Sequence, residues 1–250
     1  KGRHALLNSV DDDPVDFAVL HRLHEVVGKV GWPHWHDAGG VDADSCRHQG
    51  RKASFRMSDV SRETAALADY AAMLRKWNVA INLVSPTTLD QIESRHIADS
   101  RALVDFAADA QGKWVDLGSG GGFPGMVVAI CRPDLDVTLI ESDQRKCSFL
   151  RSVSRELSLK NVSVIPKRIE AVDRLDAANV SARALASLPL LMSYVDRHLS
   201  PSGTAWLMKG RNWQDEVAEA RREWSFDLKT HSSKTDSDAA ILEITGISHV

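Results

Sequence analysis

The stretch that most limits what this chain can become is Asp116-Leu117-Gly118-Ser119-Gly120-Gly121-Gly122-Phe123-Pro124-Gly125, where five of the last eight residues are glycine. Trp114, Val115 and Leu117 read as a short buried strand leading into it. Pro124 suits the first turn of a helix, where a missing N–H costs little, and Met126–Ile130 continues that helix as an apolar run. Strand, glycine turn, helix is how an α/β protein brings its backbone up to a small ligand. The next apolar strand, Val137–Ile140, ends in Glu141. An acid about 20 residues beyond the glycines sits where a ribose hydroxyl pair can be held. The stretch therefore predicts a nucleoside-cofactor site containing Gly118, Gly120 and Glu141.

The remainder of the chain supports an α/β reading. Residues 61–78 repeat Leu67, Tyr70, Leu74 and Trp77 at helical spacing behind a possible Ser61 cap. A second helix is expected over about 88–107, with Arg95, His96, Asp99 and Arg101 among its polar positions. Together they predict a helical cap, 57–110, ahead of a Rossmann-like core, 111–250. A helix over 143–158 and strands near 161–165, 180–185 and 204–209 follow, interleaved with helices near 188–198 and 212–224. Phe226–His231 and Ala239–Ile244 are separated only by a polar turn, so they should pair as an antiparallel hairpin. The expectation is a seven-stranded, mostly parallel sheet with helices on both faces.

Residues 1–56 differ in character. They hold six of the ten histidines and eight basic against eight acidic residues. One short amphipathic helix through Phe17, Leu20, Leu23 and Val27 is possible, and the His21/His24 and His34/His36 spacings suit a metal. A loosely ordered extension with no metal is the favoured reading. Met57 resembles a natural start, which places function in 57–250. The net charge of -3 argues against nucleic-acid binding by bulk electrostatics, though not against a local basic face. Three cysteines without a CxxC pair suggest a reducing compartment. No apolar run reaches the ~18 residues of a membrane span, and no secretory signal is visible, so a cytoplasmic protein is expected.

Gly120-x-Gly122-x-x-Gly125 matches a dinucleotide fingerprint, which leaves an NAD(P)-linked oxidoreductase open. The closing hairpin, and Gly118 directly after Asp116-Leu117, point instead to the class I S-adenosylmethionine-dependent methyltransferases. Cys131 and Cys147 fall at buried helical positions, which argues against chemistry needing a cysteine nucleophile. Arg183 and Lys209 lie near the carboxyl ends of the fourth and fifth strands, where such sheets bind ligands. Sheet-edge salt bridging is the competing explanation for each. His96 reads first as part of a solvated helix face, and Asn82 equally as the cap of a turn.

With these residues in place, the chain resembles the bacterial small-subunit rRNA guanine-N7 methyltransferase family, once called glucose-inhibited division protein B. The resemblance spans about 60–245. It rests on Trp77-Asn78 with Asn82-Leu83, Arg95-His96-Ile97-x-Asp99-Ser100, the glycine stretch with its Phe123-Pro124-Gly125 ending, Lys146-x-x-Phe149-Leu150, Arg168-Ile169-Glu170, Ala182-Arg183-Ala184 and Met208-Lys209-Gly210. Val84 departs from the threonine usual there. The resemblance implies S-adenosyl-L-methionine as cofactor, with Gly118, Phe123, Ile169, Glu170 and Arg183 on its contact positions. It implies 16S rRNA of the small ribosomal subunit as partner, with Asn82, Arg95, His96, Lys209 and Arg211 as candidates for the RNA side. A monomer with no membrane partner is expected. Guanine N7 carries a lone pair and no proton, so no general base is required, and a non-catalytic RNA-binding assembly factor on the same fold remains the contrasting reading.

Overall fold

The computed structural model describes residues 57–250. The expected extension 1–56, its short helix and its histidine pairs lie outside the described residues. Helix α1 (Met57–Asn78) comes first, followed by a 3-10 turn (Pro86–Gln91), a π-helical turn (Ile92–Ile97) and α2 (Ala98–Phe106). The core then runs β1 (Lys113–Leu117), α3 (Gly125–Cys131), β2 (Asp136–Ile140), α4 (Gln144–Glu156), β3 (Val162–Ile165) and a 3-10 turn (Ile169–Ala171). It closes with β4 (Ala177–Arg183), α5 (Leu188–His198), β5 (Leu199–Lys209), α6 (Trp213–Ala220), β6 (Trp224–Ser232) and β7 (Ala240–His249).

The seven strands form one sheet in the order β3-β2-β1-β4-β5-β7-β6. β1 to β5 are parallel, and the terminal hairpin inserts β7 antiparallel between β5 and β6. This is the class I methyltransferase arrangement expected from the sequence. Alternation along each central strand divides the core in two. Trp114, Val137, Leu139 and Trp206 face α1 to α4, whereas Val115, Leu117, Val180 and Leu207 face α5 and α6.

Three expectations need correction. The helix over 88–107 is three pieces, because Pro86 opens a tight turn and Ile92–Ile97 then widens into a π turn that breaks the 3.6-residue period. His96 within this turn and Asp99 just after it are buried rather than solvated. The fourth strand ends at Arg183, because Ala184 takes a positive φ of 49° and turns the chain away. The helix near 212–224 stops at Ala220, and Trp224 starts β6.

The π turn is held from two sides. Arg75 of α1 donates to Glu93 at 2.7 Å. On the other side Asp99 accepts from Ser233 (2.9 Å) and Thr235 (2.8 Å), which ties the β6–β7 turn to the start of α2. Nothing around Asp99 in the sequence marks it for that role.

Candidate cofactor and substrate cleft

A cleft of about 690 Å³ opens over the carboxyl ends of β1, β2 and β4. The glycine loop 118–123 forms its floor. Ile140–Ser142, Lys146 and Lys167–Glu170 line one side, and Leu83–Ser85, Thr88, Arg95 and His96 another. Arg183–Ala186, Leu190 and Tyr194 complete it. Its size suits a small organic ligand.

The loop owes its shape to missing side chains. Gly118 has a φ of 62°, which favours glycine, and a Cβ there would come 2.5 Å from Leu185 Cδ1, so a side chain at 118 would force Leu185 to move. At Gly121 a Cβ would lie 2.9 Å from the Leu83 carbonyl oxygen. The loop's amides are mostly engaged within the protein. Ser119 N–H donates to Ile140 O (3.0 Å), Gly120 N–H to Glu141 Oε2 (2.8 Å), and Gly122 N–H to Ser119 O (2.7 Å). Tyr70, fully buried in α1, donates from beneath to Gly121 O at 2.6 Å. A pyrophosphate needs free amides and positive potential, yet this loop has engaged amides with Glu141 bonded to it and Asp116 behind it. The geometry favours a ligand that packs against the loop over one held by phosphates.

Glu141 stands where a ribose-binding acid is expected, and it has a second task. Its other oxygen accepts from Asp143 N–H at 2.8 Å, so the carboxylate braces both the glycine loop and the start of α4. Two amides leave further lone pairs able to accept from hydroxyls. Asp116, wholly buried under the loop, accepts from Ser181 at 2.6 Å while its second oxygen has no partner among the described residues. Burial pushes its carboxyl up to about 6, against the opposing pull of Ser181, Ser119 and the Gly125 amide.

The turn bearing Ile169 and Glu170 is anchored from α5. Arg197 donates to Val172 O (2.9 Å), and buried His198 donates from Nε2 to Ile169 O (3.2 Å). Ile169 presents a mostly covered apolar side chain, and Glu170 is exposed, accepting from Tyr194 at 3.1 Å. Its own backbone amide, then Tyr194, holds the Glu170 carboxyl below the usual range.

The end of β4 carries the cleft's most unusual group. β4 lies between β1 and β5, so the sheet-edge explanation of Arg183 does not apply. Its guanidinium lies 5.5 Å from the centre of the Phe123 ring, and Nη2 hydrogen-bonds to His96 Nδ1. Nη1 is buried without a partner among the described residues. The His96 ring stacks on Phe123, with centroids 5.3 Å apart, and its Nε2 reaches Thr88 Oγ1 at 2.9 Å. Burial, then the charges of Arg183 and Arg95, lower the imidazole pKa to about 4, so the ring is neutral near pH 7.

Of the expected site residues, the structure gathers Gly118, Gly120, Phe123, Glu141, Ile169, Glu170, Arg183, Arg95 and His96 around this cleft. Three others do not line this cleft. Asn82 is exposed and does not line the cleft; the residue that organises this turn is Asn78, whose Oδ1 accepts from Leu83 N–H (2.9 Å) and Val84 N–H (3.0 Å). Lys209 is paired with Glu216 at 2.6 Å and donates to Ala186 O at 2.8 Å, leaving its side chain almost wholly covered. Arg211 lies on a separate recess with Thr230 and Asp238. Tyr70 and Asn78 lay among helical core and polar positions, and nothing in their spacing marked them. Lys146, Lys167 and Arg168 add cations to the cleft's lining. Among the described residues no cluster of metal-ligating side chains occurs, and no helix is long and apolar enough to cross a membrane.

Comparison with known proteins agrees with this geometry. Residues 63–244 match the family described as rRNA small subunit methyltransferase G. A protein of Paracoccus denitrificans (strain Pd 1222), named ribosomal RNA small subunit methyltransferase G, is 70% identical over 190 residues, 76% of this chain and 98% of that protein. One of the same name from Ruegeria sp. (strain TM1040) is 46% identical over 197 residues, 77% of this chain and 95% of its own. Among solved structures, a point mutant of MtNAS in complex with S-adenosylmethionine superposes with a TM-score of 0.51 at 14% identity, over 76% of this chain and 75% of that one. At that identity the likeness concerns the fold alone.

Proposed function

The chain belongs to the rRNA small subunit methyltransferase G family, and on that premise we propose that it transfers a methyl group from S-adenosyl-L-methionine to N7 of a guanine in 16S rRNA of the small ribosomal subunit. The 70% identity across 98% of a relative carrying that family name is the observation on which the reading rests. We further take residues 57–250 as the working unit, acting as a monomer in the cytoplasm.

The cleft fits such a cofactor. Gly118 and Gly120 let a ligand approach the backbone, Glu141 keeps lone pairs for ribose hydroxyls, and Ile169 offers an apolar surface to a flat base beside Glu170. When bound, S-adenosylmethionine supplies a methyl carbon activated by its sulfonium. Phe123 and Arg183 line the same cleft and are taken with Gly118, Ile169 and Glu170 as cofactor contacts. Because N7 has no proton to lose, the protein needs to hold the base in line and keep it unstacked rather than accept a proton. The titratable groups of the cleft accord with this. Glu141 is engaged with two amides, and His96 with Arg183 and Thr88, so neither is poised as a base. Arg95, Lys146, Lys167 and Arg168 supply cations for the backbone of a single-stranded loop.

Purified protein, labelled S-adenosylmethionine and small ribosomal subunits provide the test, with mass mapping of the RNA. Incorporation at one guanine N7 is expected. Incorporation at another atom would replace the N7 assignment, and RNA binding without incorporation would favour the assembly-factor reading. Protection against heat by NADH but not by S-adenosylhomocysteine would return the oxidoreductase. Sedimentation tests the monomer, and a chain starting at Met57 should keep full activity.

A further inference from the structure

Arg183 owes its position to a neighbour that has no need to touch a ligand. A guanidinium has only donors, so the His96 Nδ1 facing it must carry a lone pair. The ring's single proton is then on Nε2, which donates to Thr88 Oγ1. The Thr88 hydroxyl in turn donates to Ser85 O at 3.1 Å. The chain Arg183, His96, Thr88, Ser85 thus runs donor to acceptor in one direction and ends on a backbone carbonyl. Phe123 fixes the plane of the imidazole, and the π turn Ile92–Ile97 delivers it.

A neutral acceptor has a consequence that a carboxylate would not. Asp or Glu at this place would take the guanidinium in a two-pronged pair and cancel its charge. An imidazole nitrogen engages Nη2 alone. The full positive charge is kept, and Nη1 is left buried beside the cleft with no partner among the described residues. A buried donor left in that state calls for an acceptor from outside the chain.

Resting on the methyltransferase reading above, we propose that His96 is a positioning residue. Its unprotonated Nδ1 aims Nη1 of Arg183 at an acceptor oxygen of the bound ligand. That oxygen belongs either to the cofactor's carboxylate or to the target nucleotide, and the measurement separates the two.

The test is a double-mutant cycle on His96→Leu and Arg183→Ala, with His96→Asn as rescue. Cofactor Kd is read by calorimetry, and kcat and KM on small subunits by methyl incorporation. Arg183→Ala should lower kcat/KM by about tenfold to a hundredfold. His96→Leu should approach that loss, and the double variant should be no worse than Arg183→Ala. His96→Asn, which restores an acceptor oxygen, should recover most of the activity. A raised cofactor Kd locates the oxygen on the cofactor, and an unchanged Kd with altered KM or kcat locates it on the RNA; either supports the proposal. Losses that multiply in the double variant would overturn it, as would an Asn variant no better than Leu. If His96→Leu fails to fold, Thr88→Val replaces it in the cycle. Nitrogen-15 shifts of His96 in the wild-type protein give a reading independent of activity, because a proton found on Nδ1 refutes the arrangement. A wild-type protein with the expected tautomer but no methyl incorporation would fail the function and not the hydrogen-bond chain.

Discussion

Two basic residues stand at matching places in this sheet, and they meet opposite fates. Arg183 and Lys209 end the neighbouring strands β4 and β5, and their place at strand ends offers by itself no reason to rank one above the other. In the structure Lys209 is absorbed. Glu216 of α6 neutralises it while also accepting from Leu188 N–H at 2.7 Å, so one carboxylate joins β5 to the start of α5. Arg183 meets no carboxylate within ion-pairing distance among the described residues. It meets a neutral imidazole and an aromatic face, which position a cation without cancelling it. A cation becomes part of a site when its surroundings leave it a direction and a vacant hydrogen bond. It becomes part of the frame when they do not.

That contrast can be broken by substitution. The largest effect is expected from Gly118→Val, which adds a branched side chain at positive φ where Leu185, two residues past Arg183, already fills the space. Calorimetric cofactor binding should vanish with the circular dichroism of the fold retained; measurable binding would detach the β4 end from the glycine loop. Arg183→Ala comes next, with its loss in turnover at near-normal stability. Lys209→Met should do the reverse. Leaving Glu216 half-buried and unpaired costs about 2 kcal/mol, seen as a fall of about 4–8 °C in Tm, while activity per folded molecule stays the same. If Lys209→Met instead weakened methylation of intact protein, the two strand ends would be alike after all.

The effects on pH dependence largely offset one another in the wild-type protein, because they have opposite signs. Asp116 has its pKa raised from 3.8 to about 6 by burial, so the folded state holds its proton more tightly than the unfolded state. Its contribution to stability is present at low pH and is lost as pH rises from about 4 to about 6. His96 has its pKa lowered from 6.5 to about 4, so the unfolded state holds that proton more tightly. Its contribution is present above about 6.5 and is lost as pH falls towards 4. Each is worth at most about 3 kcal/mol, and the two slopes oppose each other within one window. Denaturant titrations should therefore show Asp116→Asn gaining stability relative to wild type as pH rises from 4 to 6, and His96→Asn losing it. Parallel curves for wild type and variants would show that neither group titrates as its surroundings suggest.

Much of this molecule follows from local residue order. The glycine stretch with Val115 and Leu117 before it determines strand, turn and helix, because backbone sterics and apolar periodicity act within a few residues. The short polar link Ser233–Ala239 between two β-rich segments likewise determines a hairpin, and with it the end of the sheet. Glu141 was legible because it ends the strand that follows the glycines, whereas Ile169 and Phe123 were marked only by the family resemblance. Only the tertiary structure decided the partners. Tyr70 reaches Gly121 across 51 residues, Asp99 reaches Thr235 across 136, and His96 reaches Arg183 across 87. Whether a polar side chain is solvated, absorbed by an ion pair or left with one free donor depends on what lies opposite when the chain closes. Residues that far apart in sequence carry no local sign of one another.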